Sequence, residues 1–254
     1  MRKTCLTPTR RRNKGMSNAL IIHIETATDI CSVAISRGEK LLALKESAAE
    51  RNHASLLSTY IRECMKEAGT NYDELDAVAV SKGPGSYTGL RIGVSTAKGL
   101  AYARDKKLLS CGTLENMAHA ALENKELASL VEKYSKKLLL CPMLDARRME
   151  VYSAFYDTDL KLRREVAADI IDESSYRSLL EEGPVVFFGN GAPKCREMLQ
   201  HKNAHFVEEL NPSAAAMIRP VLEREKRSEY ENVAYFEPYY LKDFVATIPK
   251  KKVL

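Results

Sequence analysis

The residues best suited to chemistry lie together in Ser81-Lys-Gly-Pro-Gly-Ser-Tyr-Thr-Gly-Leu-Arg91 and in the helix-like stretch that runs on to Ala103. An apolar strand over 77–80 ends there. Gly83 and Gly85 reach positive φ cheaply and Pro84 fixes its own, so the chain must turn tightly. Ser86 or Thr88 can then cap a helix expected over 89–103. A strand, a glycine turn and a helix start aim backbone N–H groups and the positive end of a dipole at one point. Gly83, Gly85, Ser86, Thr88 and Gly89 are therefore candidates for holding a phosphate. The spacing is not that of a P-loop, because no Gly-Lys-Ser/Thr closes it and Lys82 precedes the turn. A tight turn with no ligand fits the same residues.

The helix that follows carries Gly89, Gly93, Ala97 and Ala101 along one side, small residues that let another backbone approach closely. Each interior glycine costs about 0.5–1 kcal/mol against alanine, so close packing is expected to compensate. Spacing does not say whether the packed partner is this chain or another.

These residues need a frame. The 254 residues suffice for one large or two modest domains, and no apolar run is long enough to span a membrane. Six cysteines are scattered without a CxxC pair, as expected of reduced thiols in a cytoplasmic protein rather than disulfides or a zinc site. Of the net charge of +5, residues 1–15 supply six positive charges and no acid, which leaves the rest of the chain at −1. The body is not basic enough to be a free-standing RNA-binding module.

Hydrophobic periodicity predicts strands over 19–24, 31–36 and 40–46, a helix over 52–68, strand 77–80 and helix 89–103. A second half follows, with strand 108–111, helix 113–122, strands 138–144, 151–156 and 161–166, helix 174–182, strand 185–188, helix 192–200, strand 205–207 and helix 213–227. Ser213 is expected to cap that last helix and Pro220 to kink it. The βββαβα order is that of an actin-like, ribonuclease-H-like α/β fold with two such lobes. The expected divisions are a disordered basic extension 1–16, a first lobe 17–106 plus 213–248, a smaller lobe 107–212 and a basic tail 249–254.

Four segments, in this order, resemble the bacterial TsaB (YeaZ) family. They are Ile24-Glu-Thr-Ala27 with Cys31-Ser-Val-Ala-Ile35, the block Ser81–Ala103, Asp145-Ala-Arg-Arg-Met-Glu-Val-Tyr152, and Glu237-Pro-Tyr-Tyr-Leu-Lys242. The resemblance implies an actin-like ATPase fold and a role in making threonylcarbamoyladenosine at position 37 of tRNAs that read codons starting with A. It implies TsaD as heterodimer partner and holder of the catalytic site, the ATPase TsaE as a further partner, tRNA met through the complex, and a homodimer when the chain is alone. ATP is then expected, if anywhere, at the level of the complex. TsaD-type relatives carry two histidines four apart that bind a metal. Thr113 and Met117 stand at those places here, and neither suits a hard cation. His119 lacks a second ligand, and no metal or catalytic residue is assigned.

Against the actin-like pattern, Glu25 and Asp29 occupy the first phosphate turn but without its Asp-x-Gly, and turn capping is the expected role. Asp145, Arg147 and Glu150 are expected to form ion pairs or an inter-lobe contact, and His53 a structural contact. Gly189-Asn-Gly191 resembles the adenine-side turn only weakly. The resemblance also implies that helices 52–68 and 89–103 meet TsaD through Leu57, Tyr60, Ile61, Cys64, Gly93, Ala97 and Ala101, so that Gly93→Arg would break pairing and spare the fold. The alternative function is an independent actin-like ATPase or small-molecule kinase. A metalloprotease is disfavoured by the missing histidine pair.

Overall fold

The computed structural model of the chain describes residues 17–48, 53–208 and 210–242. The expected extension 1–16, the tail 249–254 and Asn52, the expected start of the first helix, lie outside them. The first sheet is built from β1 (Leu20–Glu25), β2 (Ile30–Arg37), β3 (Lys40–Ala48), β4 (Ala77–Gly83) and β5 (Lys107–Gly112), in the order β3-β2-β1-β4-β5. The first three pair antiparallel, and β4 and β5 continue in parallel beyond β1. The second sheet repeats this plan with β6 (Leu139–Asp145), β7 (Glu150–Asp157), β8 (Leu162–Ile170), β9 (Val185–Phe188) and β10 (Ala204–Val207), in the order β10-β9-β6-β7-β8. Its β6 takes the part of β1, antiparallel to β7 and parallel to β9. The fold is the expected α/β one of two actin-like lobes.

Layering explains why every residue of β1 is buried and four of its six are apolar, His23 and Glu25 being the exceptions. On one face Leu20, Ile22 and Ile24 meet α1 (His53–Glu67) and α2 (Tyr87–Ala103) through Leu57, Ile61, Cys64, Val94 and Ala97. On the other face Ile21 meets Met217, Val221 and Leu222 of α6 (Ile218–Lys226) and the residue before it. In the second lobe α3 (Thr113–Leu122) and α4 (Lys125–Tyr134) cover Leu140 and Leu144, and α5 (Arg177–Glu182) lies on the opposite side with Phe187. No helix among the described residues is long and apolar enough to cross a membrane.

Three expectations need correction. β5 hydrogen-bonds to β4, so the first sheet runs through Gly112 and the division at 106/107 falls one strand early. Residues 192–200 form no α-helix. A 3-10 turn at Pro193–Cys195 and further turns make the last crossover instead. Finally, α6 starts at Ile218, and Ser213 caps only the turn before it, its hydroxyl accepting from Ala215 N at 3.2 Å and donating to Glu46 Oε2 at 2.8 Å. Pro220 then sits in the first turn, where N–H groups lack helical partners anyway, and it kinks nothing.

Beneath the lobes, Arg224 Nη1 and Nη2 donate to both carboxylate oxygens of Glu115 at 3.0 and 2.8 Å, tying α6 to α3. Both side chains are about three-quarters buried. Arg224→Ala is expected to cost about 1–2 kcal/mol, seen as a lower urea midpoint with an unchanged m-value.

Candidate functional site

The glycine-rich turn leads from β4 into α2, which Ser86 caps by accepting from Gly89 N at 3.3 Å. Its glycines are accounted for by the β1–β2 turn lying against them. A Cβ at Gly85 would collide with Ala27 O, at Gly89 with Thr26 O, and at Gly93 with Thr26 Oγ1. Thr26 Oγ1 donates to Gly89 O at 2.8 Å, and Ser86 N donates to Ala27 O at 2.7 Å. Gly83 stands at φ +111°, and a Cβ there would come within 2.7 Å of Tyr239 O. Thr88 is exposed at the start of α2. The five candidates are thus together, with the glycines serving close backbone packing.

A cleft of about 590 Å³ separates this turn from the second lobe. Thr28, Asp29, Ser86 and Thr88 line one side, and Asp145, Arg147, Tyr152 and Asn190 line the other. In the loop from β6 to β7, Arg147 and Arg148 adopt φ of +69° and +49°. Asp145 N donates to Asn190 Oδ1 at 2.9 Å, and the Lys194 ammonium donates to the Asp145 carboxylate and, at 2.7 Å each, to the carbonyls of Arg148 and Glu150. Glu150 pairs with Lys242. Asp145 and Glu150 are therefore held in ion pairs, while the exposed Arg147 guanidinium meets no carboxylate within 4 Å among the described residues. Gly189 and Gly191 are again packing glycines: a Cβ would strike Met143 O at 2.5 Å and the Leu144 carbonyl carbon at 2.8 Å.

The chain closes the cleft mouth with Tyr239–Lys242, a strap whose role the sequence left unassigned. Tyr239 N donates to Lys82 O at 2.7 Å, the Tyr240 ring packs 4.9 Å from that of Tyr87, and Lys242 reaches Glu150 of the second lobe. The sequence marked it only as one of the four segments that carry the family resemblance.

Below the cleft lies a buried polar group. Glu25 accepts from Ala27 N at 2.7 Å and from Asn116 Nδ2 at 2.6 Å, and Ser81 also bonds to it. Burial raises its carboxyl above the usual range, against the pull of those donors. The first of these bonds is a turn cap. His53 Nε2 shares a 2.9 Å hydrogen bond with Thr28 O, fixing the same turn from α1. At the two places that would carry metal-binding histidines, Thr113 bonds through its hydroxyl to Ser81 Oγ at 2.9 Å, and Met117 is buried with its methyl against Gly189. That donor set does not fit a hard cation. Among the described residues no three His, Cys, Asp or Glu side chains converge on one point. Burial pushes the Cys31 and Cys64 thiols up to about 11, far from a reactive thiolate.

The helix faces need the largest correction. Leu57, Ile61, Cys64, Gly93, Ala97 and Ala101 are buried against the first sheet, and Tyr60 is half-buried with its hydroxyl on Ser47 Oγ at 2.8 Å. They cannot form an outer contact face, because they already make the core. The residues α2 turns outward are Thr88, Arg91, Ser95, Gly99, Tyr102 and Ala103, with Ile92 at the edge and open space around Gly99. From α1, Ser55, Ser58 and Arg62 are exposed.

Residues 46–250 match the family described as TsaD: tRNA N6-adenosine threonylcarbamoyltransferase. Among curated proteins, the "tRNA threonylcarbamoyladenosine biosynthesis protein TsaB" of Haemophilus influenzae is 31% identical over 168 residues, 66% of this chain and 64% of the relative. The protein of the same name from Escherichia coli is 32% identical over 139 residues, 55% of each. The matches thus span between about half and two thirds of these relatives' length. Of solved structures, YeaZ from Pseudomonas aeruginosa superposes with a TM-score of 0.75 at 22% identity, covering 88% of this chain and all of that one, a likeness of fold.

Proposed function

The chain belongs to the TsaD family, within which it resembles the proteins named TsaB, and from that premise we propose that it is a non-catalytic subunit of tRNA threonylcarbamoyladenosine biosynthesis. It pairs with TsaD and supports threonylcarbamoyl transfer to adenosine 37 of tRNAs that read codons starting with A, with TsaE joining the assembly. The observation that carries the reading is the outward face of α2. Thr88, Ser95, Gly99 and Ala103 form a strip of small side chains, bordered by Arg91 and Tyr102, that a helix of a relative with the same fold can approach closely. The same strip can pair two copies of the chain when TsaD is absent.

The cleft favours this reading over an independent kinase. Its phosphate-facing glycines are spent on Thr26, Ala27 and Tyr239, and Ser86 N is already bonded to Ala27 O. A nucleotide, if one enters, has Thr88, Arg147 and the strap to meet. The deciding experiment is threonylcarbamoyl transfer to tRNA by TsaD with and without this chain. Transfer is expected to depend on the chain, and the chain alone is expected to transfer nothing. Equal TsaD activity without it, or brisk ATP hydrolysis by the isolated chain, overturns the proposal.

A further inference from the structure

Two of the largest exposed apolar side chains among the described residues are tyrosines on one side of the first lobe: Tyr102 is 83% exposed and Tyr235 is 84% exposed. They are not scattered. Residues 234–240 run antiparallel to α2 along the flank that carries Tyr87, Arg91, Lys98 and Tyr102. Lys98 Nζ donates to Ala234 O at 3.2 Å and to Phe236 O at 2.7 Å, which sets Tyr235 beside it, and Tyr102 stands one turn further along α2. At the other end Arg91 lies 4.2 Å over the Tyr87 ring and its Nε donates to Tyr240 Oη at 3.3 Å. Asn232 Oδ1 accepts from Ala234 N at 2.9 Å and Tyr235 N at 3.2 Å, so the segment is pinned at both ends.

The result is a strip in which Arg91 and Lys98 lie between aromatic rings and two of those rings, Tyr102 and Tyr235, stand in solvent. An apolar protein contact would surround such rings with further apolar side chains. Here the exposed neighbours are Ala103, Arg104, Asn232, Ala234 and Glu237, and the rings stand singly. Single tyrosines held on a rigid backbone beside Lys and Arg suit unpaired nucleobases, which offer a π-face to stack and a phosphate to neutralise. Glu237 lies in the strip, and Asp105 and Asp73, the latter paired with Arg104 at 3.1 Å, lie at its end, which limits how many phosphates it can accept.

We propose that Tyr102 and Tyr235, on the flank formed by α2 and residues 234–240 and beside Lys98, are a stacking surface for single-stranded RNA. The inference rests on the tRNA reading above for which RNA is met, and it gives the chain a direct hold on substrate beyond its pairing with TsaD. Tyr102 stands three residues from Gly99 on the exposed side of α2, so RNA and TsaD would meet adjoining residues there.

The test is fluorescence anisotropy of the full chain with a labelled anticodon-arm RNA hairpin and with a blunt RNA duplex. The hairpin is expected to bind and the duplex to bind at least about tenfold more weakly. Tyr102→Ala and Tyr235→Ala are each expected to lower hairpin affinity about tenfold, with Tyr→Phe restoring it and Tyr→Leu failing to. Both sites are exposed, so the thermal midpoint should not move, and a measured midpoint separates lost binding from lost fold. The proposal is overturned if the hairpin does not bind, if the duplex binds as well, or if the alanine variants bind as the wild type does. It is equally overturned if those variants instead weaken co-purification with TsaD, which would assign the tyrosines to a protein contact. Equal transfer by TsaD with and without this chain, with RNA binding intact, would sink the subunit reading alone.

Discussion

Gly99→Arg is expected to abolish co-purification with TsaD while leaving the isolated subunit as stable as before, whereas Gly93→Arg is expected to unfold it. Both glycines lie in α2 and differ by six residues, but they point opposite ways. A Cβ at Gly99 meets nothing within 4 Å. An exposed helical glycine replaced by arginine gains up to about 1 kcal/mol from helix propensity, so the midpoint of the monomer should hold or rise slightly. In a close helix contact the same guanidinium has no room, and affinity should fall at least about a hundredfold. At Gly93 the first added carbon already collides with Thr26 Oγ1, whose hydroxyl holds Gly89 O. Overpacking there displaces the whole β1–β2 turn and should cost at least about 3 kcal/mol. Retained pairing of Gly99→Arg, or a Gly93→Arg protein with the wild-type midpoint, would each contradict this geometry.

The contrast shows what the sequence could and could not tell. The topology was legible because strands with continuous apolar runs and helices with three-to-four spacing occur in an order that permits few arrangements. The second lobe repeats the first strand for strand. The direction of α1 was also legible in principle: Leu57, Ile61, Cys64 and Met65 are its main apolar stripe, and a lone apolar stripe faces the core. α2 was harder, since small residues lie all round it and no hydrophobic contrast marks a buried side. What decides its direction is the carbonyl of Thr26, some sixty residues earlier, pressing on Gly89. The strap's role was invisible for the same reason. Tyr239 and Lys242 act through Lys82 and Glu150, and contacts at that separation leave no periodicity in the chain.

Acid should unfold this protein through one residue more than any other described histidine. His23 is fully buried in the middle of β1, its Nε2 sharing a 2.9 Å hydrogen bond with Ser36 Oγ and its Nδ1 without a partner. Burial lowers its pKa to about 3, so the folded chain keeps it neutral while the unfolded chain takes up a proton near the ordinary value of 6.5. The unfolded state therefore binds more protons below pH 6.5, and folding stability falls with falling pH at about 1.4 kcal/mol per unit down to about pH 3. Between pH 7 and pH 5 that amounts to about 2 kcal/mol, a large part of a typical stability of about 5–15 kcal/mol. Glu25, two residues along, works in the opposite direction. Its raised pKa means that the folded chain takes up a proton before the unfolded one does, so stability is recovered as pH falls through that raised value toward 4.5. The histidine's contribution is isolated by comparing urea unfolding of the wild type and His23→Gln across this range, since Gln cannot titrate and can still bond to Ser36. The wild type should lose about 2 kcal/mol more than the variant between pH 7 and pH 5. Parallel curves for the two proteins would mean that His23 is charged in the fold, or that water reaches its unpaired Nδ1.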